Sequence, residues 1–152
     1  MIRFFKNVAV WPSMLCVLLS AQEICESMGM PILQTDRLTL RLISIQDAPA
    51  LFEITSDENI AKYTYMITLH ESIDDTEKWI ERVLNLYKND SLVPFVVIDT
   101  YTHEMIGCCF AWYTAEHARM EVGYFYKQSS WGKGFATEAL QAFIQFLCTC
   151  FS

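Results

Sequence analysis

Three apolar runs of strand character follow one another in this chain, at Pro94–Ile98, Met105–Tyr113 and Met120–Tyr126. Only Asp99–Glu104 and Thr114–Arg119 separate them, and polar connections this short join antiparallel hairpins. What flanks the runs narrows the architecture further. Upstream, Trp79, Ile80, Val83, Leu84 and Tyr87 share one face of a helix that an Asp74…Glu77 pair would open and that ends near Asn89. Downstream, Ala136, Ala139, Leu140, Phe143, Ile144 and Leu147 mark the buried stripe of a last helix. Leu38, Leu40 and Leu42 alternate with Thr39 and Arg41 as in a half-buried strand, and Asp47-Ala48-Pro49 offers an N-cap with proline in the first turn of a short helix. The stretch from Ser56 to Asp74 has no sustained period and reads as an irregular connection. The expected class is a mixed α/β fold, a mostly antiparallel sheet flanked by helices.

One domain accounts for the length. Of the 152 residues, 53% are hydrophobic and 19% charged, a balance that supports a buried core and lies far from that of disordered chains. The domain reads as residues 31–152, preceded by an atypical extension at 1–30. In the extension Arg3 and Lys6 precede an apolar run from Val8 to Leu19 that is too short to span a bilayer and lacks a small-x-small cleavage site. Secretion is therefore the lesser reading, and a cytoplasmic location the expected one. The formal charge is 11 − 18 = −7, all of it within 31–152, where nine basic residues face sixteen acidic ones. Nucleic acids and anionic membranes reward clustered Lys and Arg, so neither is expected as a partner; a cationic substrate suits the surface better. Six cysteines without a C-x-x-C pair give no metal signature, and Cys108 and Cys109, adjacent in a strand, read as small apolar residues on opposite faces.

Chemistry concentrates where a strand, Glu121-Val-Gly-Tyr-Phe-Tyr126, runs through Lys127–Ser130 into Trp131-Gly-Lys-Gly-Phe-Ala-Thr-Glu138 and the last helix. A helix N-terminus offers unpaired N–H groups and the positive end of the helix dipole, and Gly132 and Gly134 let backbone wrap an oxygen-rich group. A pyrophosphate fits such a loop. It is neither a Walker A loop nor a dinucleotide fingerprint, and a structural turn is the other reading of a lone G-x-G.

Trp131-Gly-Lys-Gly-Phe-Ala-Thr-Glu-Ala139, with Glu121-Val-Gly-Tyr124 before it, resembles the acetyl-CoA-binding motif of the GNAT acetyltransferases, in the branch of the ribosomal-protein N-terminal acetyltransferases. Thr35-Asp-Arg-Leu-Thr-Leu-Arg41 is similar to the opening strand of that branch and Asp75-Thr-Glu-Lys-Trp79 to its second helix, so the likeness spans about residues 31–148. The resemblance implies a GNAT-type fold, acetyl-CoA as co-substrate and a primary amine as acceptor, on a small molecule or a protein N-terminus. It places Trp131 where the family has Arg or Gln, at the cost of a polar side chain. Phe125 and Tyr126 would offer backbone groups to the pantetheine arm, and the amides of Trp131, Gly132, Lys133, Gly134, Phe135, Ala136 and Thr137 would hold the pyrophosphate. Glu121 matches the family's general base; a solvated strand residue paired with Arg119 is the alternative. The oxyanion donor would be a backbone N–H near Phe125. His70, His103 and His117 fall in expected loops and read as surface residues, Glu138 as a dipole-favoured first-turn carboxylate, and Trp112, Tyr113, Tyr124 and Tyr126 as core or cross-strand aromatics.

In the family the motif helix leads into a parallel strand, another helix and a closing hairpin, whereas this chain stops at Ser152. The expected domain is therefore partial, lacking the last strands and helix, with Met120–Tyr126 as an open sheet edge and a homodimer as one consequence. A catalytically incomplete module that binds CoA or a partner chain is the alternative function.

Overall fold

The computed structural model describes residues 30–64, 67–89, 91–114 and 119–151; the readings made on 1–29 and on His117 lie outside them. Five strands form one sheet in the order β1 (Leu33–Gln34), β2 (Leu38–Leu42), β3 (Leu92–Asp99), β4 (Met105–Thr114) and β5 (Arg119–Tyr126), every neighbouring pair antiparallel. Each of the three expected runs is a strand, extended by one to three residues. Among the described residues, four α-helices accompany the sheet: α1 (Ala48–Thr55), α2 (Glu58–Tyr63), α3 (Ile73–Lys88) and α4 (Phe135–Phe151).

The alternation of side chains along the strands divides the core in two. On one face Leu51 and Ile54 of α1 and Trp79, Ile80 and Val83 of α3 pack on Val96, Cys108, Phe110 and Phe125. On the other, Ala139, Phe143 and Leu147 of α4 cover Leu38, Leu40, Phe95, Cys109 and Tyr126. Cys108 and Cys109, both fully buried thiols, thus go to opposite faces as their adjacency requires. Burial pushes the Cys109 thiol up to about 11, so it stays protonated as a small hydrophobe.

The helix starts show local chemistry that composition alone does not specify. Asp47 holds the N-cap position of α1 with Pro49 in the first turn, as expected, but its side chain makes no capping bond: it ends a short 3-10 turn (Ile45–Asp47) and its carboxylate turns inward to Arg41, at 2.8 and 2.6 Å, and to the Ser44 N–H at 2.8 Å. The α3 cap is Ser72 rather than Asp74. The Asp75 N–H donates to Ser72 Oγ at 3.2 Å while the Ser72 N–H and hydroxyl donate to the Asp75 carboxylate, a complete capping box. Within the segment expected to be irregular, Asp57 accepts the Asn59 N–H at 2.9 Å and starts the short helix α2.

Candidate active site

At its C-terminal end β5 passes into a short 3-10 turn (Gln128–Ser130), then the glycine loop, then α4. Gly132 and Gly134 have φ of +72° and +78°, the left-handed region that favours glycine, and nothing lies within 4 Å of where a Gly132 Cβ would stand. The first helical hydrogen bond of α4 runs from the Glu138 N–H to the Gly134 carbonyl at 3.1 Å, so the amides of Phe135, Ala136 and Thr137 precede the helical ladder.

These groups border a cleft of about 580 Å³, within the range of small-molecule sites. Its walls include Phe125, Tyr126, Trp131, Gly132, Gly134, Phe135, Ala136 and Thr137, which the motif singled out, together with Ser130 and Tyr124. Lys133 is not on the wall: it is exposed and its carbonyl accepts from Arg37 at 3.1 Å. The opposite wall comes from the stretch expected to be an irregular connection, where no particular residue was singled out for the site. Ile60, Tyr63 and Thr64 come from the end of α2 and the residue after it, a helix too short to leave a sustained period. The Asp57 cap followed by Glu58 was the signal available.

Register decides which backbone groups of β5 face the cleft. The Lys127 N–H donates inward to the Ile106 carbonyl at 2.8 Å, and the β4–β5 pairing runs without interruption, so by alternation the Phe125 and Gly123 amides also face β4. The outward-facing amides are those of Tyr124 and Tyr126. Of the amides near Phe125, those of its two neighbours are thus the ones turned away from β4. The Tyr126 carbonyl, on the same outer edge, accepts the Trp131 indole N–H at 2.8 Å, so Trp131 keeps a polar contact despite replacing Arg or Gln.

A latch fixes the loop from behind. Glu138 accepts from the Thr35 hydroxyl at 2.6 Å, the Arg37 N–H at 3.0 Å and Arg37 Nε at 2.7 Å, and the Arg37 guanidinium lies 4.6 Å from the centroid of the Phe135 ring. Burial pushes the Glu138 carboxyl up, but the bonds from Thr35 and Arg37 outweigh it and hold the group below its ordinary value. On the other side Glu53 and Asp57 hold Lys127 and Gln128, at 3.1 and 2.8 Å.

Glu121 stands on β5 opposite Trp112, exposed and paired with Arg119, on the same sheet face as Phe125 and outside the cleft wall. His70 is not a surface residue: it is 5% exposed, and its Nδ1 lies 2.9 Å from the Thr76 hydroxyl. Tyr126 is buried as expected of a core aromatic, whereas Tyr124 is 53% exposed at the cleft.

Residues 37–151 match the family model described as the acetyltransferase (GNAT) domain. The chain belongs to this GNAT family. The uncharacterized N-acetyltransferase p20 of Bacillus licheniformis is 36% identical over 118 residues, which cover 77% of this chain and 66% of p20. The chain thus spans just under two thirds of that relative's length. Among solved structures, a GNAT-family acetyltransferase from Bacillus anthracis superposes with a TM-score of 0.63 at 25% identity, covering 76% of this chain and 65% of the other. RimL, a ribosomal L7/L12 α-N-protein acetyltransferase in complex with coenzyme A, gives 0.62 at 20% identity, covering 76% and 67%, a likeness of fold. The GNAT class expected from the motif is correct, as is the mixed α/β sheet flanked by helices.

Proposed function

We propose that this protein transfers acetyl from acetyl-CoA to a primary amine, on a protein N-terminus or a small molecule, in the cytoplasm. The observation that carries the reading is the cleft itself: two left-handed glycines turn the chain so that the first amides of α4 and the outer edge of β5 border one space. Uncharacterized N-acetyltransferases among the relatives and a RimL structure with coenzyme A support it.

The amides of Gly132, Lys133, Gly134, Phe135, Ala136 and Thr137 would hold the pyrophosphate, with Trp131 fixing the turn through its bond to Tyr126. Lys133 contributes main chain only. The outer groups of Tyr124 and Tyr126 would pair with the pantetheine arm, as Phe125 and Tyr126 were expected to do. When bound, acetyl-CoA supplies an activated thioester carbonyl. Glu121 would take a proton from the acceptor ammonium, directly or through one water, so that the freed amine bonds to the carbonyl carbon, the C–S bond breaks, and the thiolate of CoA leaves as a thiol with the second proton that the nitrogen sheds. An outward N–H of β5 would donate to the carbonyl oxygen as negative charge gathers there. The acidic surface, at net −7, draws cationic acceptors toward this site.

A thermal-shift titration with acetyl-CoA tests the reading. At a hundred times the dissociation constant the wild-type chain should gain about 2.7 kcal/mol, and Gly134→Glu should gain nothing. An equal gain in both would remove the loop from the site, and no gain in the wild type would end the reading. A second reading, a CoA-binding module without turnover, draws on β5 having no outer strand neighbour among the described residues. Stabilisation without thiol release from any amine would favour it. A homodimer through that edge belongs to the same proposal and is tested by sedimentation velocity.

A further inference from the structure

Trp112 lies directly across β4–β5 from Glu121, yet its ring reaches along the sheet to the next residue of that face. A Cβ on Gly123 would stand 2.8 Å from the indole Cζ3 and 2.9 Å from Cη2, closer than real side chains approach. Residues two apart on a strand share a face at roughly 6.8 Å spacing, so Glu121, Gly123 and Phe125 form a row whose central gap the indole fills. Phe110 packs beside Trp112 with centroids 6.0 Å apart and stacks on Phe125 at 5.7 Å. Phe110 is 2% exposed and Phe125 4%, but Trp112 is only partly buried. The aromatic column thus reaches the surface at the indole, between the general-base candidate and the cleft.

We infer that Trp112 is an acceptor-positioning residue, its indole the floor along which a primary ammonium passes from Glu121 toward the cleft at Phe125. The inference rests on the acetyltransferase reading above and deepens it toward the acceptor class. A cation is attracted to the face of an indole more strongly than to other rings. The Glu121 carboxylate beside it, now paired with Arg119, offers the countercharge that the ammonium needs before it loses its proton. Gly123 has no side chain because any Cβ there would lift the ring out of that path. An unbranched aliphatic or N-terminal ammonium suits such a floor.

Calorimetric titration of the CoA-saturated full chain with spermidine and with the dipeptide amide Ser-Ala-NH2 tests this, using wild type, Trp112→Phe and Trp112→Leu. Leucine keeps an apolar cover over Gly123 but removes the ring. Amine affinity should fall about threefold for Phe and about tenfold for Leu while CoA affinity stays within twofold; in turnover the same change should appear in the acceptor KM with kcat nearly constant. Equal amine affinity in all three proteins overturns the inference, as does a parallel loss of CoA affinity and thermal midpoint, which marks a purely structural ring. No amine binding by a wild-type chain that binds CoA overturns it alone; no CoA binding at all overturns the acetyltransferase reading and this inference together.

Discussion

Glu138 shows how much one side chain does for the loop. Its carboxylate joins the first turn of α4 to Thr35 and Arg37, two residues of the segment between β1 and β2. Arg37 also holds the Lys133 carbonyl, so the glycine loop is braced through a residue that never meets the cleft. Glu138→Gln keeps the shape but loses the charge-assisted bonds. Because the Arg37 side chain is 40% exposed, the cost should be near 1 kcal/mol, about 2–4 °C in thermal midpoint. Acetyl-CoA affinity should weaken severalfold, since the loop amides lose their fixed spacing. Calorimetry and titration of the one variant check both, and unchanged affinity with a lowered midpoint would reduce the latch to a stability device.

At the scale of elements, a buried polar chain ties His70, just before α3, to α3 and α1. His70 Nδ1 contacts the Thr76 hydroxyl, that hydroxyl lies 3.4 Å from Thr55 Oγ1, and the Thr55 hydroxyl donates to the Leu51 carbonyl at 3.2 Å. Burial keeps His70 below its ordinary value of 6.5; the Asp75 charge raises it and the Arg82 charge lowers it further. Sign follows directly: the unfolded chain takes up a proton at His70 below about pH 6.5 while the folded chain resists, so this stability is complete above that pH and is lost as pH falls below it. His70→Gln should flatten the thermal midpoint between pH 7 and 5; a slope equal to wild type would assign it to other groups. None of this was legible in the sequence, because burial of His70 depends on Thr55 and Thr76, 15 residues upstream and 6 downstream. The hairpins and α4 were legible because their periods are local, and so was the glycine loop. The α2 wall of the cleft was not: Ile60, Tyr63 and Thr64 reach it only through the tertiary packing of a six-residue helix. The α3 start slipped for the same kind of reason, since Ser72 and Asp74 both suit a cap by composition and only the reciprocal bonds with Asp75 choose between them.

Across the whole molecule, three carboxylates held below their ordinary values sit where helices join the sheet or begin. Burial alone would push Asp47 up, but bonds from Arg41 and Ser44 outweigh it; the Ser72 hydroxyl lowers Asp75; Thr35 and Arg37 lower Glu138 against its desolvation. Each is charged in the folded chain at a pH where the unfolded chain is already protonated. Their joint contribution is therefore present above about pH 4 and is lost as pH falls through the folded values, the opposite limb from any loss at high pH. Asp47 should dominate, because its side chain is 7% exposed and its bond to Arg41 is bidentate. The Arg41 side chain is 33% exposed, so water offsets part of the loss, and Asp47→Asn should cost about 2 kcal/mol at pH 7, roughly 4–8 °C for a chain of this size. As pH falls below the ordinary carboxylate value the unfolded chain takes up a proton that the folded Asp47 resists, so the gap between the two midpoints should narrow. Thermal scans of both proteins from pH 7 to pH 3 decide it: a gap that stays constant with pH would mean that Asp47 stabilises the β2–α1 junction by packing and hydrogen bonding rather than by charge.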